Sequence, residues 1–504
     1  MKPPTTAPRA LTLGHLMFVA VLGLSGLAAS APAQSLVGSP LDGADLLALG
    51  DEGAPPTADP EWQVTYQSSN GMAGANVVVT QRHRAFVGGN ISDSSSSPED
   101  GHWGLIMAYD TRTGASLWSD MWEEAEPGLT TSERLMSGAI KGRDLVMGGM
   151  SGSESGGRRL LLRAYDAKSG ERRWSWSGEP LESVRFDDLV IGRGMVIAAM
   201  SDYLPSGALR GRIRAFSLKT GVLLWSKDIE DTLGSIWDVD AQQCLAMAGS
   251  RVAWVGGTEQ DGASLRVFSA TTGEPLWSWS HSSNAPNSLL TSVVRQGGRF
   301  VVGGMLDGMP SLRSFSASKG KLLWTRTLSQ DGSAGIVRCL ALSAGRLVAA
   351  GTLFPNHSPA DMDDEYMDAD DMGISSSTIY VASVAFMSAF KPATGTPRWE
   401  QPLQGPSKLG VSNLPIALTA KGKRLAVLTM PYSMGTHSLS ARVSMHGLSD
   451  GSPSWTAETS LTSIVVGSPY VGDMAMSKKQ VVLAVPREGG WAGLWNVKAY
   501  AVSP

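Results

Sequence analysis

Along most of the chain, apolar residues either alternate with polar ones or gather in short runs, and glycine, serine, aspartate and proline cluster between the runs. That pattern predicts brief strands joined by tight turns, and no 10-to-15-residue stretch keeps a helical period. The segment ending at Trp324 shows the unit well. SLLTSVVRQGG, RFVVGGM, LRSFSAS and LLWTRTL read as four successive strands, with SKGK as a turn in which Gly320 is free to take positive φ.

The unit recurs. AYDTRTGASLW at 108–118 returns as AYDAKSGERRW at 164–174 and AFSLKTGVLLW at 215–225. A glycine stands four residues before a tryptophan seven times, ending at Trp118, Trp174, Trp225, Trp277, Trp324, Trp399 and Trp455. The tryptophans are 56, 51, 52, 47, 75 and 56 residues apart, a period that belongs to propellers and other repeat arrays. Four antiparallel strands per unit without intervening helices point to propeller blades. The last unit stops just after Ala499 and Tyr500, short of its turn and its tryptophan strand, while EWQVTYQSS from Trp62 supplies a matching strand at the other end. The expectation is an all-β, eight-bladed β-propeller of four-stranded antiparallel blades, closed by that N-terminal strand.

The constant offset gives the tryptophans a structural role, each ring docking between its own blade and the next. Trp62 joins the other seven in that position, eight of the 16 tryptophans in the chain. Removing one such buried ring costs ~3 to 5 kcal/mol, enough for a belt of them to hold together sheets that are marginal singly.

The phrase D-x-x-T-G-x-x-x-W, complete from Asp110 to Trp118 and nearly so from Asp166 to Trp174, resembles the tryptophan-docking motif of the pyrroloquinoline quinone (PQQ) repeat. The resemblance covers roughly residues 62–504, and its aspartate position drifts to Ser217, Ser269, Ser316, Lys391 and Gly447. It implies an eight-bladed fold shared by quinoprotein dehydrogenases and by non-enzymatic relatives. In the enzymes it implies PQQ over a Ca²⁺ held by acidic and amide side chains, an aspartate as general base and, in many, two adjacent cysteines. No adjacent cysteine pair and no C-x-x-C-H haem motif occur here, and no catalytic or cofactor-binding residue carries over by position.

Composition narrows the picture further. With 504 residues, 42% hydrophobic, the chain can bury a large core, and a formal charge of -4 leaves no electrostatic footprint for nucleic acid. Lys2 and Arg9 precede an apolar run from Leu11 to Leu27 and a small-residue site at Ala31-Pro32-Ala33. This predicts a signal peptide over 1–33, a linker over 34–60 and a single propeller domain over 61–504, exported to the periplasm or outside the cell, monomeric and without a transmembrane segment once cleaved. Cys244 and Cys339 occupy matching places two repeats apart, which predicts two buried free thiols rather than a disulfide.

Candidate chemistry is sparse. The seven histidines are scattered without metal-ligand spacing, and Ser316-Ala317-Ser318-Lys319 falls on the repeat's own turn. One insertion stands out: residues 356–377 lengthen the sixth repeat and carry Asp361, Asp363, Asp364, Glu365, Asp368, Asp370 and Asp371 with no basic residue. Such carboxylates suit a hard cation such as Ca²⁺, although an EF-hand register from Asp368 fails at Met372 and Ile379; a solvated loop is the plainer reading. Two further polar stretches, 92–102 and 151–157, read as flexible loops. The functional expectation is a non-catalytic propeller that presents one face to a protein partner or small ligand, with a PQQ- and calcium-dependent dehydrogenase as the alternative.

Overall fold

The computed structural model describes residues 20–21, 55–67, 73–92, 102–122, 132–153, 157–181, 184–203, 209–232, 243–258, 262–281, 288–329, 332–354, 384–403, 411–433, 438–461, 473–486 and 494–502. These build eight blades of four antiparallel strands around an axis, with no helix among the described residues. Blade 1 comprises Ala73–Gln81, Arg84–Ser92, His102–Asp110 and Ser116–Trp122. Blades 2 to 7 follow in the same order, opening with Ser132–Lys141, Val184–Gly192, Leu245–Ala248, Leu289–Gln296, Ala334–Ser343 and Val411–Lys421. Blade 8 joins Asp473–Met476, Gln480–Pro486 and Leu494–Ala501 to Trp62–Gln67, with Trp62 opposite Ala499 and Gln67 opposite Leu494. Beyond that strand, Ala20 lies opposite Val64.

The opening strands of successive blades touch one another all the way round, blade 8 against blade 1 included, so they line the axis. The closing strands lie at the periphery and carry the tryptophans. Buried side chains between neighbouring sheets form the core, as in the cluster uniting Trp225, Phe268 and Phe300 from blades 3, 4 and 5. Sheet faces covered on both sides explain why the second strands read as nearly continuous apolar runs, such as Val301 and Val302 at zero exposure.

Each peripheral tryptophan reaches forward into the next blade. The indole N–H of Trp174 donates to the carbonyl of Leu218 at 2.8 Å, that of Trp225 to Ala270 at 3.0 Å and that of Trp399 to Leu448 at 3.1 Å. Beneath the ring sits the turn glycine of that next blade. Gly221 has φ +70°, and a Cβ there would lie 2.6 Å from Trp174. The glycine four residues before a tryptophan therefore serves the preceding blade's ring. This explains why Trp62 has no glycine ahead of it and still docks: its ring lies over Gly114, and its N–H donates to Thr111 at 2.6 Å.

The segment before Trp62 is tied down as well. Pro56 to Ala58, within the segment expected to be linker, are bonded to the outer strand of blade 7: Ala58 N–H donates to Thr456 at 2.7 Å, and Thr456 N–H to Pro56 at 2.9 Å. The loop expected over 151–157 is shorter than the sequence suggests. Ser151, Gly152 and Ser153 pair with Arg159, Arg158 and Gly157, because a ladder is held by backbone groups and tolerates small polar side chains. Ser92 and His102, the ends of the other polar stretch, are likewise paired.

Candidate functional site

The axis is where the fold concentrates polar groups. Six of the eight opening strands carry a bulge at the same register position, the extra residue being Asn76, Met136, Asp187, Thr291, Arg338 or Ile416. A bulge bends the strand and re-aims the extra side chain. Five of these residues, all but Thr291, line an axial cavity of about 230 Å³. The cavity wall also holds Gln243, Asp188 and Asp473.

Several polar groups in this ring are held by neighbouring strands. Asp188 accepts the N–H of Leu189 at 2.7 Å and, across the blade boundary, that of Leu245 at 2.9 Å. Asp473 repeats the arrangement between blades 8 and 1, accepting from Met474 at 2.6 Å and Val78 at 2.7 Å. The Asn76 amide donates to Leu135 of blade 2 at 3.0 Å, and the Thr291 hydroxyl to Val337 of blade 6 at 2.5 Å. Asp187 accepts from Ser201 at 3.2 Å and faces Arg185 Nε at 3.3 Å. Burial pushes the Asp188 carboxyl well above its ordinary range and that of Asp473 up to about 6, against the opposing pull of the N–H donors. Such groups brace one blade against the next.

Cys339 follows the bulge of blade 6, and Cys244 holds the matching register position in blade 4, aligned with Asp188 and Asp473. Both thiols are free and buried. Burial raises the Cys244 thiol well above its ordinary value, and the Cys339 Sγ–H donates to the carbonyl of Ile416 at 3.3 Å. Cys244 therefore lacks the thiolate character of an activated nucleophile.

The acidic residues Asp361, Asp363, Asp364, Glu365, Asp368, Asp370 and Asp371 lie outside the described residues, so the structure does not place them against the axis. Among the described residues no three His, Cys, Asp or Glu side chains converge closely enough to hold a metal ion. Of the axial carboxylates, Asp188 and Asp473 each accept two main-chain N–H groups. Sequence reasoning missed this ring, although a signal existed: the aligned phrases NVV, MSG, DDL, TSV, RCL and IAL break the alternation of the opening strands at one position.

A family model described as outer membrane protein assembly factor BamB matches residues 62–263 and 261–356, more than half of the chain. Among curated proteins, 129 residues are 32% identical to the lanthanide-dependent methanol dehydrogenase of Methylacidiphilum fumariolicum (strain SolV), covering 25% of this chain and 19% of that protein. A further 84 residues are 36% identical to the quinohemoprotein alcohol dehydrogenase of Comamonas testosteroni, covering 16% and 11%. The chain thus matches less than a fifth of the length of either enzyme. Among solved structures, BamB from Moraxella catarrhalis superposes with a TM-score of 0.44 at 14% identity, over 86% of this chain and 97% of that one. The Comamonas testosteroni dehydrogenase superposes with a TM-score of 0.47 at 12% identity, over 92% and 78%.

Proposed function

The chain belongs to the PQQ-like repeat family whose model is described as outer membrane protein assembly factor BamB, and from that premise we propose that it is a non-catalytic propeller scaffold, exported to the cell envelope, that holds a protein partner during envelope assembly. The observation that carries this reading is the use of the axial carboxylates. In the dehydrogenase reading these groups would serve as metal ligands or as a base, whereas here Asp188 and Asp473 accept main-chain N–H groups from two blades each. A rigid ring with loops at both rims suits partner binding. Among the described residues no helix is long and apolar enough to cross a membrane.

The test is spectroscopic and enzymatic. The purified protein is incubated with PQQ and Ca²⁺, separated from free quinone and assayed for dye-linked oxidation of methanol, ethanol and aldoses. The expected result is no retained quinone absorbance and no turnover. Stoichiometric quinone with substrate-dependent dye reduction would establish the dehydrogenase reading, which the local identity to two dehydrogenases supports. Export is tested separately, by fractionation and by the N-terminal residue of the mature protein, expected just after Ala33.

A further inference from the structure

A second polar site lies off the axis, in the seam between blades 2 and 3. Strand Leu209–Ser217 presents Arg210, Arg212 and Arg214 at alternate positions, hence on one face. Two carboxylates serve this row. Arg210 Nη2 lies 2.5 Å from Asp202, and Arg212 Nε lies 2.8 Å from Asp228. Arg214, half-buried at the end of the row, makes no ion pair among the described residues; its guanidinium lies over the ring of Trp176 at 5.3 Å. It borders a cavity of about 370 Å³ whose wall includes Leu160, Leu181, Asp228 and the exposed Glu179. The lip of that cavity is fixed by main-chain bonds from Gly178 to Leu160 at 2.9 Å and from Leu181 to Arg158 at 2.8 Å.

The repeat supplies an internal comparison. Arg163 holds the same position in blade 2, two residues before the buried aromatic residue. There the preceding blade offers Asp120, which lies 3.2 Å from Arg163 and accepts from Tyr165 at 2.7 Å. Register equates Asp120, opposite Ile106, with Trp176, opposite Leu162. Arg163 also lies over an indole, that of Trp122 at 4.8 Å, so what distinguishes the blade 2–3 seam is the loss of the acid at this register position and the cavity beside the arginine. In the blade 4–5 seam Arg313 stacks on Trp279 at 4.7 Å and has Asp307 in its field, with no second arginine. Arg214 sits beside Arg212 and Arg210 with Asp228 and Asp202 in its field, and burial together with the like charges lowers its pKa against the pull of those two acids.

We propose that the cavity between blades 2 and 3 binds a monocarboxylate with a short apolar stem, the carboxylate on Arg214 and the stem against Leu160 and Leu181. An arginine held flat on an aromatic face keeps its N–H edge free for a planar carboxylate. On the same wall Arg212 is taken up by Asp228, and Glu179 adds a further negative charge, so the cavity offers one unneutralised cation at most and disfavours a dianion such as phosphate. The carboxylate comes either from a free aliphatic acid or from the C-terminus of a polypeptide.

Titration calorimetry on the full-length protein distinguishes these sources. The probes are butyrate, n-butanol as its neutral counterpart, and an N-acetylated tetrapeptide ending in leucine, as free acid and as amide. The expected result is saturable binding of butyrate, of the peptide acid or of both, with none for butanol or the amide. Binding of the peptide acid alone assigns the site to a chain terminus; equal or better binding of butyrate assigns it to a free acid. Arg214→Met, which keeps a stem on Trp176, should weaken binding at least about tenfold, and Glu179→Gln should tighten it. No saturable heat from either carboxylate up to ~10 mM, or equal binding by the neutral probes, overturns the proposal. If Arg214→Met does not fold by circular dichroism, Glu179→Gln decides, and unchanged affinity in that variant counts against the site.

Discussion

At the scale of single residues, the turn glycines separate two demands that usually coincide. Gly194 and Gly221 both have positive φ, but a Cβ on Gly194 meets nothing within 4 Å, whereas on Gly221 it lies 2.6 Å from the Trp174 ring. Gly194→Ala should therefore cost about 1 to 2 kcal/mol in urea unfolding, the left-handed conformation alone. Gly221→Ala should cost roughly 2 kcal/mol more, because the ring must give way in a packed seam. Equal losses would mean that the glycines are selected for φ and not for docking. His446 offers a second residue-scale test. It stands where other blades place Tyr109, Tyr165 or Phe216, buried, with Nδ1 3.0 Å from the Gly451 carbonyl and Nε2 2.9 Å from the Ser444 hydroxyl. Burial lowers its pKa from 6.5 to about 4. Between those values the unfolded chain binds a proton that the native ring does not. Stability is therefore full above about pH 6.5 and declines as pH falls towards 4, by about 3 kcal/mol in all. His446→Phe should remove that slope in denaturant titrations at pH 4.5 and 7; an unaltered slope would assign it to other groups.

At the scale of strands, the bulge in the opening strand joins sequence to site. It lets one backbone run line the axis; at the bulge of blade 3, and at the equivalent register position of blade 8, an aspartate accepts N–H groups from its own strand and from the neighbouring blade. Asp188→Ala leaves the amides of Leu189 and Leu245 without that acceptor in a buried setting. The expected loss is about 2 to 4 kcal/mol, with faster hydrogen exchange at Leu245 than at the equivalent Val78, which Asp473 still holds. Uniform exchange at both would show that the axial carboxylates do not brace the ring. The strands themselves were readable from alternation and turn residues, as Arg299–Leu306 and Leu322–Thr327 illustrate. The bulges were not, because an extra residue changes the register with a partner strand and leaves little trace in composition. The second tryptophan of the WSWS phrases carries no sequence signal for a similar reason. Trp176 and Trp279 meet Arg214 and Arg313 from the following blade, a contact that exists once the blades are side by side.

At the scale of the whole molecule, strands from the two ends of the propeller segment meet in one blade. Trp62–Gln67 pairs along its length with Leu494–Ala501, and Thr57 bridges to Thr456 of blade 7. Deleting residues 34–70 removes that strand and the ring lying over Gly114, exposing the edge of Leu494–Ala501. The expected outcome is a species that self-associates on size-exclusion chromatography with light scattering. A monodisperse, cooperatively melting deletion variant would show that the strand is dispensable to the ring. The two thiols belong to the same scale, since blade 5 stands between the blades that carry them. Reduction of the purified protein should leave its mass unchanged, and a gain of two hydrogens would show a disulfide.

What the amino-acid sequence determined by itself was everything that repeats: the strand period, the glycine four residues before a tryptophan, the eightfold count and the split last blade. Local backbone preference and a constant offset write these into each unit separately. What the tertiary structure decided was everything that depends on which unit stands next to which. The glycine under a tryptophan turned out to serve the blade before it; Asp188 and Asp473 turned out to be braces; Arg214 turned out to face a cavity where Arg163 faces Asp120. Each of these is a contact across a blade seam between residues roughly 40 to 60 positions apart, or on opposite ends of the chain. Closing the ring puts such residues at van der Waals distance, whereas the chain order of one unit constrains only neighbours along its own sheet.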